Sequence, residues 1–108
     1  MVNDLVEQPL APGDVIAYAI RDGGNAALRL AVVESASSWP IHVLIPASLT
    51  HVQGDEWSFS RRAKQLDGKS RIVKVSRSHL ALALEDPAYD EESRARFACL
   101  IGIARSFG

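Results

Sequence analysis

Turn signals interrupt the first 85 residues at intervals too short for helices of ordinary length. They are Pro12-Gly13, Asp22-Gly23-Gly24-Asn25, the loop Ser35–Pro40, Pro46 and Asp67-Gly68. Proline presets φ and glycine accepts φ > 0, so each of these marks a place where a strand or helix ends. The segments between them alternate polar and apolar. Asp14–Arg21 sets Ile16, Tyr18 and Ile20 on one face, Ala27–Ser35 sets Leu28, Leu30 and Val32 together, and Ile41–Ile45 is short and apolar. A period of two is the mark of a strand. Trp57–Leu66 and Lys69–Arg77 flank Asp67-Gly68, a pair favoured in two-residue hairpin loops, and His79–Glu85 places Leu80, Leu82 and Leu84 on one side as a further strand. Pro46–Glu56 fits neither period and has room for one helical turn.

After Glu85 the period changes. Asp86-Pro87 suits a helix N-cap followed by proline, and Asp90, Glu91 and Glu92 put negative charge where the helix dipole favours it. A helix starting at 87 or 91 and ending near 106 is predicted, with Phe97, Leu100, Ile101, Ala104 and Phe107 on the stripe that docks. The expected fold is mainly β: a small barrel of five or six strands over residues 10–85, closed so that no edge is exposed, with the C-terminal helix 87–106 as its lid. With 47% hydrophobic and 23% charged residues, residues 1–108 read as a single globular domain.

Pro12–Gly24, Leu28–Glu34 and Arg71–Glu85 together resemble a Src homology 3-like small barrel, and within that group the Tudor and KOW types, which often open with Pro-Gly-Asp before the first strand. The chain is also similar to small uncharacterised proteins of actinobacterial phages. Where a KOW motif carries a glycine shortly before the position of Val32, this chain has Leu30 and Ala31, which counts against a KOW-type RNA or ribosomal role. The resemblance implies a binding module rather than an enzyme. Nine arginines against three lysines, with 15 alanines, fit a GC-rich bacterial or phage genome. The N-terminus has no basic stretch ahead of an apolar run, and Phe97–Ala104 is far too short to span a bilayer, so a cytoplasmic location is expected, the bacterial host's if phage-encoded.

The net charge of −1 hides a segregation: residues 1–60 carry net −5, residues 61–79 net +6 and residues 80–108 net −2. If the Asp67-Gly68 hairpin is regular, residues whose numbers sum to about 135 face each other, setting Arg61 against Lys74 and Lys64 against Arg71. Directly opposed like charges need an anion or an acid such as Asp55 or Glu56 to relieve them. Two readings of the block stand. It is a nucleic-acid surface in which Arg61, Arg62, Lys64, Arg71, Lys74 and Arg77 neutralise phosphates and Trp57 stacks on bases, with Phe59 a second stacking candidate. Otherwise it is a solvated hairpin whose long side chains cover apolar surface.

The C-terminal helix has a second side of small residues, Ala95, Cys99, Gly102 and Ser106. A small stripe permits close approach of another backbone, so a protein partner or a twofold homodimer is one expectation, and a neutral, frayed last turn is the other. A single cysteine, Cys99, excludes an internal disulfide and reads as an ordinary, partly buried thiol. His42, His51 and His79 are scattered without ligand spacing, no serine sits in a nucleophile-elbow pattern, and Asp22–Asn25 lacks the lysine of a phosphate loop. No catalytic residue, metal or cofactor is expected. The function that follows is a non-enzymatic binding module for nucleic acid, with a phage-type protein-interaction module or homodimer engaging a host protein as the alternative.

Overall fold

A computed structural model describes the backbone of residues 2–51, 57–68 and 71–107, and their side chains except at 22, 25, 47–51 and 57–60. Five strands form one antiparallel sheet: β1 (Val15–Asp22), β2 (Asn25–Ser35), β3 (Ile41–His51), β4 (Trp57–Leu66) and β5 (Ile72–Val75). Two helices follow, α1 (Arg77–Glu85) and α2 (Glu91–Arg105). The spatial order is β4-β3-β2-β1-β5. The fold is mainly β, as expected, but the sheet is not closed: among the described residues no pairing joins β4 to β5.

The expected Asp67-Gly68 hairpin is therefore absent. Gly68 does take φ +91°, so the turn chemistry is there, but β4 pairs with β3 (Lys64 with Val43, Arg61 with Pro46) and β5 pairs with β1 (Ile72 with Tyr18, Lys74 with Ile16). Burial decided this outcome over the local turn preference. Ile72 has an apolar neighbour beside β1, whereas the hairpin register would have set cation against cation.

Both faces of the sheet are covered, which is why β2 runs Ala31-Val32-Val33 with every side chain fully buried. On one face Ile16, Tyr18, Ala31, Val33, Ile41, Val43, Leu66 and Ile72 gather with Val2 and Leu10 of the N-terminal segment. All five strands contribute to this face, which lies opposite the helices. On the other face Val15 and Val32 pack against Leu80 of α1 and Leu100, Ile101, Ile103 and Ala104 of α2. Each fully buried valine or leucine contributes about 1.5–3 kcal/mol.

Residues 79–85 are helical, not a strand. Their alternation satisfies a helix equally well, because Leu80 and Leu84 are four apart and both pack inward while Leu82 is exposed. Leucine and alanine are strong helix formers and no β-branched residue lies in the segment, whereas Ile72-Val73-Lys74-Val75 just before it is β-branched and forms β5. Asp86 closes α1, and Asp90 is the N-cap of α2, its carboxylate accepting from Ser93 N–H at 2.8 Å. The C-terminal helix accordingly starts at 91. Part of the Pro46–Glu56 stretch is strand, since β3 continues through a bulge after Pro46 to His51; residues 52–56 lie outside the described set.

The N-terminal segment finishes one edge of the sheet. Leu5 N–H donates to Ile72 O at 2.9 Å, and Lys74 N–H donates to Asp4 Oδ2 at 2.7 Å. Asp4 is fully buried and also accepts from Val6 N–H, Gln8 N–H and the Gln8 side-chain amide, so one carboxylate organises the 4–8 turn and clips it to β5.

Candidate functional site

The basic block divides between the two edges. Its C-terminal half is used internally. Arg71 donates through Nε and Nη2 to Ala19 O at 3.3 and 2.9 Å, taking up a carbonyl just past the end of the β1–β5 pairing. Lys74 bridges Asp14 at 3.3 Å and donates to Pro9 O. Arg77 donates through Nη2 to Gly13 O at 2.7 Å and Ala104 O at 3.2 Å, tying the first turn to the end of α2. Gly13 is required there: its φ is +91°, and a Cβ would lie 2.9 Å from that guanidinium and 3.0 Å from Phe107 Cβ. Lys69 lies outside the described residues, as do Asp55 and Glu56.

The N-terminal half is on β4, the opposite edge. Arg61, Arg62 and Lys64 are all exposed. The register points Arg62 and Lys64 to the face opposite the helices and Arg61 to the helix face. Lys64 Nζ sits 5.3 Å from the centroid of the Tyr18 ring, a cation–π contact. Trp57 begins β4 opposite His51; its side chain, like that of Phe59, lies outside the described residues.

Two further cations, which the sequence reading did not single out, stand beside β4 because the sheet forks. β2 and β3 pair only from Val32–Leu44 to Ser35–His42, while β2 runs on with β1 and β3 runs on with β4. Between these arms opens a cleft of about 190 Å³ lined by Tyr18, Ile20, Arg29, Leu30, Ile45, Pro46, Lys64 and Arg96. Arg29 and Lys64 belong to the face opposite the helices and Arg96 to α2 on the other; side chains from opposite faces of a sheet share a cavity only where the strands have parted. A larger adjoining hollow of about 490 Å³ shares Arg29, Leu30 and Arg96 and adds Leu28, Glu92, Ser93 and Phe97. Arg96 pairs with Glu92 at 3.6 Å, one turn away. Burial raises the Tyr18 hydroxyl pKa, with Arg29 opposing that in part, so the phenol stays protonated at neutral pH.

The helix stripe is split. Ala95 and Cys99 are half-buried, with Cys99 packed against the helix-face core, while Gly102 and Ser106 are exposed and the space beside Gly102 is open. Burial pushes the Cys99 thiol up, and Arg61 and Arg96 pull it partly back. Among the described residues no three His, Cys, Asp or Glu converge to hold a metal, and no helix is long and apolar enough to cross a membrane. Compared with known protein families, curated proteins and solved structures, the chain matches none.

Proposed function

We propose that this chain is a small non-enzymatic binding module whose ligand is nucleic acid, held along β4 and across the mouth of the fork. The observation that supports it most is the gathering of Arg29, Arg61, Arg62, Lys64 and Arg96 from β2, β4 and α2 around one region, while Arg71, Lys74 and Arg77 serve the fold. Arginine and lysine neutralise phosphates, and a patch of this size releases several counterions when a strand binds. The likeness to Src homology 3-like barrels belongs to the same proposal, since such sheets act as recognition scaffolds.

Fluorescence anisotropy with labelled single- and double-stranded DNA and RNA at low salt tests it. Binding that weakens steeply as salt rises is expected, and silence with all four ligands at micromolar protein removes the reading. A second reading, an interaction module for protein, has one observation of its own. The outer edge of β4 turns the backbone of Arg61, Ala63 and Gln65 away from the sheet, where an extended strand of another chain can pair. A partner retained after nuclease treatment favours that reading.

A further inference from the structure

Pro46 parts the sheet, and in doing so leaves a strand edge open inside it. Val33 N–H donates to Asp14 O, so Val33, Ala31 and Arg29 turn their backbone groups toward β1, while Val32, Leu30 and Leu28 turn theirs toward β3. Val32 meets Leu44 there. The next pair in that register would join Leu30 to Pro46, and proline has no N–H to give the Leu30 carbonyl. The ladder stops at that step, and β3 bulges after Pro46. Among the described residues no strand pairs with the N–H and C=O groups of Leu28 and Leu30.

Beside this edge lies the hollow of about 490 Å³, with Leu28 and Leu30 on one side and Glu92, Ser93, Arg96 and Phe97 of α2 on the other. Leu28 is 73% exposed. The Tyr89 ring meets Phe97 edge-on at 5.1 Å and extends the apolar wall. Leu28 and Leu30 share the helix face with Val32, so a strand added at this edge would send every second side chain into the hollow.

We propose that the inner edge of β2 takes an extended segment of another protein, which adds a strand to the sheet through Leu28 and Leu30 and seats two apolar side chains, at alternate positions, against Leu28, Leu30 and Phe97. The backbone selects the occupant. Leu28 and Leu30 each offer one N–H and one C=O, repeated about 7 Å apart along the strand, and an extended polypeptide carries the matching repeat. A phosphate backbone has no donors for the two carbonyls. A second copy fits poorly: stable dimers bury about 1,200–2,000 Å², far more than this short edge and one hollow supply. A twofold pairing centred on Arg29 would also set two guanidinium groups opposite each other. The proposal uses backbone groups and apolar side chains, not the cations of the nucleic-acid surface, so the two readings fail separately.

The test is amide-resolved NMR of the whole chain titrated with the capped peptide Gln-Val-Thr-Val-Gln at millimolar concentration. Saturable shifts at Leu28, Leu30 and Phe97 are expected. Methylating the backbone nitrogen of either valine is expected to abolish them, because those amides face β2; methylating the threonine nitrogen, which faces away, is expected to leave binding in place. Replacing both valines by threonine is expected to weaken binding about tenfold. On the protein side, Leu28→Pro removes an N–H that β1 does not use, so it is expected to keep the fold and lose the peptide. Leu28→Ala, which keeps that N–H, is expected to stay folded and bind more weakly. No saturable shift with the peptide overturns the proposal, as does equal loss whichever nitrogen is methylated. So do shifts at Leu28 and Leu30 on concentrating the chain alone, which assign the edge to a second copy, or shifts there with an oligonucleotide but not the peptide, which assign it to nucleic acid. An Arg61→Ala/Arg62→Ala variant that loses the oligonucleotide and keeps the peptide supports the proposal and separates it from the β4 surface.

Discussion

At the β5 edge, the outward backbone groups of Ile72 and Lys74 are met by Leu5 and by the buried carboxylate of Asp4. At the β4 edge, Arg61, Arg62 and Lys64 stand exposed on a strand with no further strand beside it among the described residues. Both edges carry cations from the same stretch of sequence. At β5 those cations have become internal ties; at β4 they face solvent. A charged edge also discourages edge-to-edge aggregation. The difference teaches that cationic composition does not mark a binding surface until the backbone's own hydrogen-bonding needs have been met.

The comparison breaks most readily at Asp4. Asp4→Ala removes the acceptor of the part-buried N–H groups of Val6, Gln8 and Lys74, and a loss of about 2 kcal/mol is expected in urea unfolding, with Asp4→Asn losing less because it keeps one acceptor. A loss under about 0.5 kcal/mol, the range of an ordinary surface change, would show that the clip is not what holds this edge. Next in size is Arg77→Ala, expected to cost about 1–2 kcal/mol through the carbonyls of Gly13 and Ala104 and to leave nucleic-acid affinity unchanged. Arg62→Ala is its mirror image: stability within about 0.5 kcal/mol of the parent, and affinity reduced with a shallower salt dependence by about one phosphate contact. If Arg77→Ala instead lowered affinity as much as Arg62→Ala, the division of the block into structural and exposed halves would fail.

Smaller effects sharpen the geometry. Arg61 holds the Cys99 thiol partly down against burial, so Arg61→Ala should move the pH profile of Cys99 alkylation upward. An unmoved profile would put Arg61 away from α2. Asp90 is held below the usual carboxylate range by the Ser93 N–H bond. A depressed folded pKa gives stability that is present above the ordinary value near 3.8 and lost as pH falls through the folded one. Asp90→Asn should therefore flatten the acid limb of a thermal-melt pH series below about pH 4, and an unchanged limb would remove the cap from the account.

Much of the fold was readable because it follows from local chemistry. Pro12-Gly13 and Asp22–Asn25 turn where expected, β1 and β2 keep the period of two, and Asp90 with Glu91, Glu92 and Arg105 sets the polarity of α2. Leu80–Leu84 misled because alternating leucine and alanine also place an i, i+4 pair on a helix, and the two periods coincide over so short a span. The candidate site was half legible. Arg61, Arg62 and Lys64 were visible as part of a charge run, but Arg29 sits alone in sequence and Arg96 lies in the mixed charges at the start of α2, so no local pattern marks either. Asp4 gave no signal at all, since nothing around it distinguishes a buried clip from a solvated terminus.

Local propensity and turn chemistry, which act over a few residues, fixed that this chain is strand-rich with a capped terminal helix. Which strand lies beside which was decided in three dimensions. Ile72 and Leu66 both need burial, and the arrangement that buries them puts β4 and β5 at opposite edges and parts β2 from β3. Pairing of this kind depends on the summed packing of distant segments, a quantity that no window of neighbouring residues contains. The cleft at the fork, and the three cations that meet in it, exist only as a consequence of that choice.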